Sequence, residues 1–312
     1  MRNRQIVLGI VGPTASGKTS LSLSLAQAFP IEVLCMDSMQ VYRGMDIGTA
    51  KPTLAQQQLV AHHLLDIMQP EEPFSVAQYA AMAREAVTGV AARGNLPVLV
   101  GGTGLYLRAL SLPLSLGGAP GDAITRMRYQ ALLEEKGAQA LHDALRQVDA
   151  KAAGRLHPND TRRVIRALEV FSLTGRPFSA QVMPSYDDSP YDMLLYGRDW
   201  PREELYARID QRVDQMMQQG FPQEVEALHR RGLPPQAQSM QGLGYKELLA
   251  WISGGLEFGQ AMDMIKRRTR NYAKRQLTWF KADPRVRWCD ARMDRDVFVE
   301  MVRRDVRESE DR

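Results

Sequence analysis

Eight consecutive residues, Gly12-Pro13-Thr14-Ala15-Ser16-Gly17-Lys18-Thr19, complete a phosphate-loop pattern. Its glycines let backbone N–H groups turn inward around phosphate oxygens, and a helix that follows adds the positive end of its dipole. Lys18 supplies a mobile cation for the terminal phosphate and Thr19 a hydroxyl ligand for Mg2+. Such a loop implies a polyphosphate ligand without naming it. Most hold a nucleoside triphosphate, so a kinase or NTPase is the first reading. The second chemical group is Asp37, which opens Asp37-Ser38-Met39-Gln40-Val41-Tyr42. Its carboxylate is either the acidic partner of a metal or a general base. The third is Thr103 in Gly101-Gly102-Thr103-Gly104, for which the plain alternative is a turn threonine capping a helix. His62-His63 with Asp66 suggests a metal site, but adjacent histidines diverge on any regular element and no third ligand has suitable spacing. They are read as structural or as lying near a bound partner.

Short apolar runs at 6–11, 31–36 and 96–101 alternate with helical patterns at 18–28 and 76–92, the latter opened by Ser75 as N-cap. That alternation is the signature of strand-helix-strand units in a parallel sheet. Strands apolar at nearly every position call for helices on both faces. Ligands of such sheets bind beyond the carboxyl ends of the strands, where the phosphate loop and Asp37 both fall. The expected fold is therefore α/β, a P-loop NTPase-like parallel sheet flanked by helices, with a mostly helical insertion. A Pro, Gly, Ser and Leu stretch at 112–120 reads as a linker, followed by helical patterns at 122–148 and 160–173 and a turn-rich segment at 175–188. Residues 194–197 return the chain to the sheet. This divides the chain into a catalytic core, 1–114 and 196–312, and an insertion, 115–195. Helical patterns at 202–231 and 245–281, then a short strand and helix after Pro284, complete the core.

With 44% apolar and 24% charged residues, no long stretch reads as disordered. The two cysteines, Cys35 and Cys289, form no disulfide framework and lack zinc spacing. The run at 6–11 is too short for a signal peptide and no run spans a bilayer, so the expected compartment is the cytoplasm. A net charge of +4 is small, but the basic residues are unevenly spread. Residues 266–281 hold no acid and interleave Tyr272, Trp279 and Phe280 with seven Lys and Arg side chains, which suits a nucleic-acid backbone. The insertion adds Arg126, Arg128, Arg162, Arg163 and Arg166.

The phosphate loop, the unusual run from Asp37 to Ala50-Lys51-Pro52, and the shorter motifs His62-His63-Leu64-Leu65-Asp66, Gly101-Gly102-Thr103-Gly104-Leu105-Tyr106, His157-Pro158-Asn159-Asp160, Arg163-Val164-Ile165-Arg166-Ala167-Leu168-Glu169-Val170, Gly244-Tyr245-Lys246-Glu247 and Lys274-Arg275-Gln276 run almost end to end. Together they resemble the bacterial tRNA dimethylallyltransferase (IPP transferase) family. Two departures stand out: Gln78 where an acidic residue is expected, and Gly242 where a larger one is common.

The resemblance implies that the loop holds the pyrophosphate of dimethylallyl pyrophosphate, with Mg2+ on Thr19 and Lys18 and Arg212 at the developing negative charge; the alternative for Arg212 is an exposed helix arginine. It implies Asp37 as the base acting on an adenine amine and Thr103 in contact with the target nucleotide. The other partner is the anticodon stem-loop of tRNA, with the target adenosine flipped out of the loop. Ser38, Met39 and Gln40 would face it, Gln40 reading the base edge, with Gln241, Gly242, Leu243, Gly244, Tyr245 and Lys246. Arg126, Arg162, Arg163, Val164, Ile165 and Arg166 of the insertion and Arg267, Arg270 and Lys274 of the basic stretch would form two basic regions clamping the RNA. A monomer without membrane contact is expected. An enzyme prenylating free AMP or ATP would need neither the insertion nor the basic stretch.

Overall fold

The computed structural model describes residues 4–112, 122–180 and 184–311. Most of the expected linker at 112–120 lies outside the described residues. Six strands, β1 (Gln5–Val11), β2 (Ile31–Met36), β3 (His62–His63), β4 (Leu96–Gly101), β5 (Tyr191–Asp199) and β6 (Val286–Asp290), form one sheet in the order β3-β2-β4-β1-β5-β6. Every pairing is parallel. β1 lies inside the sheet because its apolar residues serve both faces. Val7 and Val11 join one core cluster, and Leu8 and Ile10 the other.

The second cluster is covered by α1 (Lys18–Ala26), which contributes Leu21 and Leu25, and by the C-terminal helix, which contributes Phe298, Val299 and Val302. On the other face lie α3 (Val76–Ala92) and α4 (Gly104–Ser111), which stack Tyr79 on Tyr106 with ring centroids 3.8 Å apart, while α2 (Leu54–Leu59) packs beside α1. Ser75 caps α3 through a capping box in which Gln78 accepts from the Ser75 N–H at 2.9 Å. Gln78 thus does the work of the acidic residue it replaces, because either carboxylate or amide oxygen closes the box.

The chain folds as two compact units, Met1–Ser111 with Pro190–Arg312, and Leu112–Ser189. β5 already begins at Tyr191, paired with Gln5, so the sheet includes residues 191–195 that were expected in the insertion. The second unit consists of α5 (Ala123–Val148), interrupted by non-helical Gly137, then α6 (Ala150–Ala153) and α7 (Thr161–Thr174). Its core holds Leu141, Leu145, Ala152, Ala153, Leu168, Val164 and Ile165. Val164 and Ile165 were expected at RNA; their side chains are 0% and 6% exposed and belong to this core instead. They occupy the apolar stripe of α7, while Arg162 and Arg163 take its solvent face. Arg126 and Arg166 converge on Glu169, which is fully buried and also accepts from the Asp122 N–H.

The remaining helices of the first unit are α8 (Arg202–Gln218), α9 (Phe221–Arg230), α10 (Tyr245–Ile252), α11 (Phe258–Lys281) and α12 (Arg295–Glu310), the C-terminal helix noted above. The helical pattern at 202–231 breaks at Gly220, whose φ of 100° suits the residue that ends α8 and caps α9.

Candidate active site

Three strand ends meet beside the phosphate loop. β1 runs into Gly12, β2 into Asp37 and β4 into Gly102 and Thr103. Gly101 is required here, since a Cβ at that position would lie 2.0 Å from the Met36 carbonyl oxygen. This close approach lets the Thr103 N–H donate to the Met36 carbonyl at 3.2 Å, while the Thr103 hydroxyl accepts from the Ser38 N–H at 3.2 Å. The hydroxyl therefore faces the turn carrying Asp37. Asp37 itself accepts from the Met39 N–H at 2.8 Å. Loss of hydration pushes its pKa above the usual carboxylate value, against the Met39 hydrogen bond and the attraction of Lys18.

The loop is fastened from outside at successive backbone groups. Gln276 accepts from the Thr14 N–H at 2.9 Å, Arg208 donates to the Ala15 carbonyl at 2.9 Å and Trp200 donates to the Ser16 carbonyl at 3.1 Å. Ser16 donates to the Pro13 carbonyl at 2.9 Å. Ala15 is held at φ 62° and Gly17, the N-cap of α1, at φ 89°. Lys18 folds back onto the Gly12 and Pro13 carbonyls at 3.1 and 2.7 Å, and Arg212 reaches the Thr14 hydroxyl at 3.3 Å. Lost hydration, then the Arg212 charge, bring the Lys18 pKa down to about 8. Arg212 is lowered by burial and then by Arg208, and Arg198 by burial and then by Arg208. Cations crowded until each destabilises the next make a site whose electrostatic complement is a polyanion.

Residues 40–283 match the model of the family described as IPP transferase. A tRNA dimethylallyltransferase 1 of Trichlorobacter lovleyi is 49% identical over 284 residues, covering 90% of this chain and 92% of the relative. The chain belongs to the IPP transferase family. The resemblance read from the motifs is borne out. The crystal structure of full-length tRNA isopentenylpyrophosphate transferase from Bacillus halodurans is 43% identical, with TM-score 0.74 over 99% of this chain and 97% of that one. That of a eukaryotic dimethylallyltransferase acting on tRNA is 30% identical, with TM-score 0.76 over 92% of this chain and 74% of that one. The parallel sheet with its phosphate loop is the fold of these structures.

In this member of the IPP transferase family the acid-free stretch becomes most of α11, and its charge is largely compensated. Lys266 pairs with Asp214 at 2.7 Å, Arg270 with Asp210 at 2.6 Å, Lys281 with Asp199 at 3.2 Å, and Arg268 with Glu247. The stretch expected to offer its charge to a nucleic-acid backbone thus spends much of it on protein acids, and Arg270 is an ion-pairing residue between α11 and α8. The acids stand far away in sequence, on α8, α10 and the end of β5. Arg267, Lys274 and Arg275 stay exposed.

Gln40 does not present a free amide either: its Nε2 donates to the Thr49 and Ala50 carbonyls and its Oε1 accepts from the Cys35 thiol. Tyr245 is buried, donating to Glu224 at 2.6 Å, and Gly244 is buried with it, whereas Gln241 and Lys246 are exposed. A Cβ at Gly242 would lie 2.5 Å from the Met39 Cε, the flexible end of a side chain that would have to shift to admit it. His62 and His63 bond to the Val60 carbonyl and to Glu32.

The residue types and spacings alone did not assign Trp200, Arg208, Tyr272 or Gln276 to the site. Tyr272 belongs to the same neighbourhood: its pKa is pushed up by burial and then by Asp37, with Thr103 and Gln276 acting in the opposite sense. The available signal was spacing: Arg208 with Arg212, and Tyr272 with Gln276, are each four apart on one helix and share a face.

Proposed function

We infer that this protein transfers the dimethylallyl group of dimethylallyl pyrophosphate to N6 of the adenosine on the 3′ side of the anticodon in tRNA, releasing pyrophosphate. What carries the reading is the meeting, in a chain of the IPP transferase family, of a phosphate loop ringed by cations with a carboxylate of raised proton affinity at the next strand end.

As the donor C–O bond breaks, its electron pair goes to the pyrophosphate and the allyl carbon becomes cationic. Lys18 leaves the Gly12 and Pro13 carbonyls for the departing oxygens, and Arg212 supports it. The loop N–H groups other than Pro13, which has none, and Thr14, which donates to Gln276, complete the cradle. The N6 lone pair, delocalised into adenine, is a weak nucleophile; as its bond to carbon forms, Asp37 takes the amine proton. Thr103, hydrogen-bonded to the Asp37 turn, orients the acceptor.

Thr19, beside Lys18 on the first turn of α1, offers Mg2+ a hard oxygen, and Mg2+ characteristically completes its shell with substrate phosphate oxygens and water. Bound there, the ion supplies charge neutralisation to the leaving group. No group of three or more His, Cys, Asp or Glu side chains among the described residues makes a dedicated metal cage.

The exposed Arg162, Arg163, Arg267, Lys274, Gln241 and Lys246 are the side chains we assign to tRNA. The Leu112–Ser189 unit thereby contributes to RNA binding through α7. No helix among the described residues is long and apolar enough to cross a membrane.

Incubation with labelled dimethylallyl pyrophosphate or ATP, with and without tRNA, tests the whole reading. Label entering tRNA from the prenyl donor alone is the expected result. Phosphoryl transfer from ATP, or prenylation of free AMP at a comparable rate, overturns it.

A further inference from the structure

The buried side of α11 carries Ile265, Ala273 and Phe280, and among them sits a polar residue, Gln276, only 5% exposed. Its amide does two things at once. Oε1 accepts from the Thr14 N–H of the phosphate loop at 2.9 Å, and Nε2 donates to the Gly102 carbonyl at 2.9 Å. Gly102 immediately precedes Thr103, whose hydroxyl accepts from the Ser38 N–H of the Asp37 turn at 3.2 Å. Gly102 is shaped around this interaction, since a Cβ there would lie 2.0 Å from Nε2.

We propose that Gln276 is a positioning residue that sets the separation between the donor-holding loop and the acceptor-side turn. The proposal rests on the reading of the loop as the pyrophosphate site and of Thr103 as an acceptor contact. The chemistry requires the allyl carbon and N6 to meet at a defined distance, and a misplacement of about 1 Å can cost roughly a hundredfold in rate. One planar group with an acceptor and a donor is the simplest strut between an N–H and a carbonyl. An apolar side chain would leave the buried Gly102 carbonyl and the part-buried Thr14 N–H without this partner. Because the same helix exposes Arg267 and Lys274, the strut also ties the RNA-contacting face to the reaction centre.

The test compares Gln276→Met and Gln276→Glu in the full chain, using donor KM, kcat at saturating tRNA, tRNA Kd and the unfolding midpoint. Gln276→Met is expected to lower kcat by about tenfold or more and raise donor KM, with tRNA Kd held within about twofold. Gln276→Glu keeps the acceptor but faces the Gly102 carbonyl with a carboxylate, which burial drives toward protonation. Once protonated it donates again, so its deficit relative to wild type shrinks as pH falls from about 8 to about 6. A side chain that only packs gives no such pH-dependent rescue. If the Met variant does not fold, the Glu pH response decides the matter. Wild-type kcat and donor KM in a folded Met variant, or a Glu deficit constant across pH, overturn the proposal. Lys18→Ala distinguishes the two failures. A changed donor KM there with none in the Gln276 variants sinks the strut alone, whereas no change in either sinks the reading of the loop and the strut with it.

Discussion

Lys18 donates its ammonium to the carbonyl of Pro13 at 2.7 Å, inside the loop whose anion it is suited to bind. Arg212 stands close enough to lower its pKa more than Asp37 raises it, so cation repulsion outweighs the one acid nearby until a polyanion arrives.

Donor binding should therefore take up protons. With a free-state pKa of about 8, Lys18 is charged at neutral pH and loses its proton as pH rises through that value. Pyrophosphate favours the charged form, so donor KM should rise between about pH 7 and pH 9. Lys18→Arg should abolish that dependence, because an arginine stays protonated throughout. Donor KM measured across this range checks both statements, and a flat wild-type profile contradicts them.

Asp37→Asn should lower kcat by roughly a hundredfold or more, the range of a lost general base, with little change in tRNA Kd. The raised Asp37 pKa means that the folded protein binds this proton more tightly than the unfolded chain does. Stability from this group is fully present below the unfolded pKa and is lost as pH rises through the folded value. At neutral pH the Asn variant should then unfold at the same temperature as wild type or higher. A variant both inactive and strongly destabilised would instead mark Asp37 as structural.

The tRNA salt dependence separates the residues of α11. Arg267→Gln with Lys274→Gln should weaken tRNA binding and flatten the plot of log affinity against log salt by about 0.7 to 0.9 for each phosphate no longer neutralised, leaving donor KM unchanged. Arg270→Gln should behave differently, because Arg270 is engaged by Asp210 at 2.6 Å. Its main effect is a decrease in stability of about 1 kcal/mol or less for this part-exposed pair. Equal salt slopes for the double variant and wild type would exclude Arg267 and Lys274 from RNA binding.

Acid stability should show a contribution from Glu32. Hydrogen bonds from Arg93 hold its pKa down at about 2 against a burial effect of opposite sign, with Asn95 and His63 assisting. The sign for a depressed carboxylate is stability present above its unfolded pKa of about 4.5 and lost as pH falls toward about 2. Wild-type and Glu32→Gln unfolding midpoints should converge over that interval. Curves that stay parallel remove Glu32 as the source.

The sequence by itself determined the phosphate loop, the central strands, the helix from 76 to 92 and the family, because each depends on contiguous residues. Hydrophobic period, capping pairs and glycine placement act over a few positions and can be read locally. Short elements escaped: β3 has two residues, and α2 exposes both Leu54 and Leu59, so neither carries a legible period. What only the tertiary structure decided concerns partners distant along the chain. The acid-free run 266–281 looked cationic until Asp199, Asp210, Asp214 and Glu247 were brought against it. Val164 and Ile165 sit between arginines in sequence, yet the helical turn sends them into a core and their neighbours to solvent. Gln276 reaches Thr14 across 262 positions. A hydrogen bond or ion pair depends on separation in space, and composition and period carry no information about which remote segment the fold brings within that range.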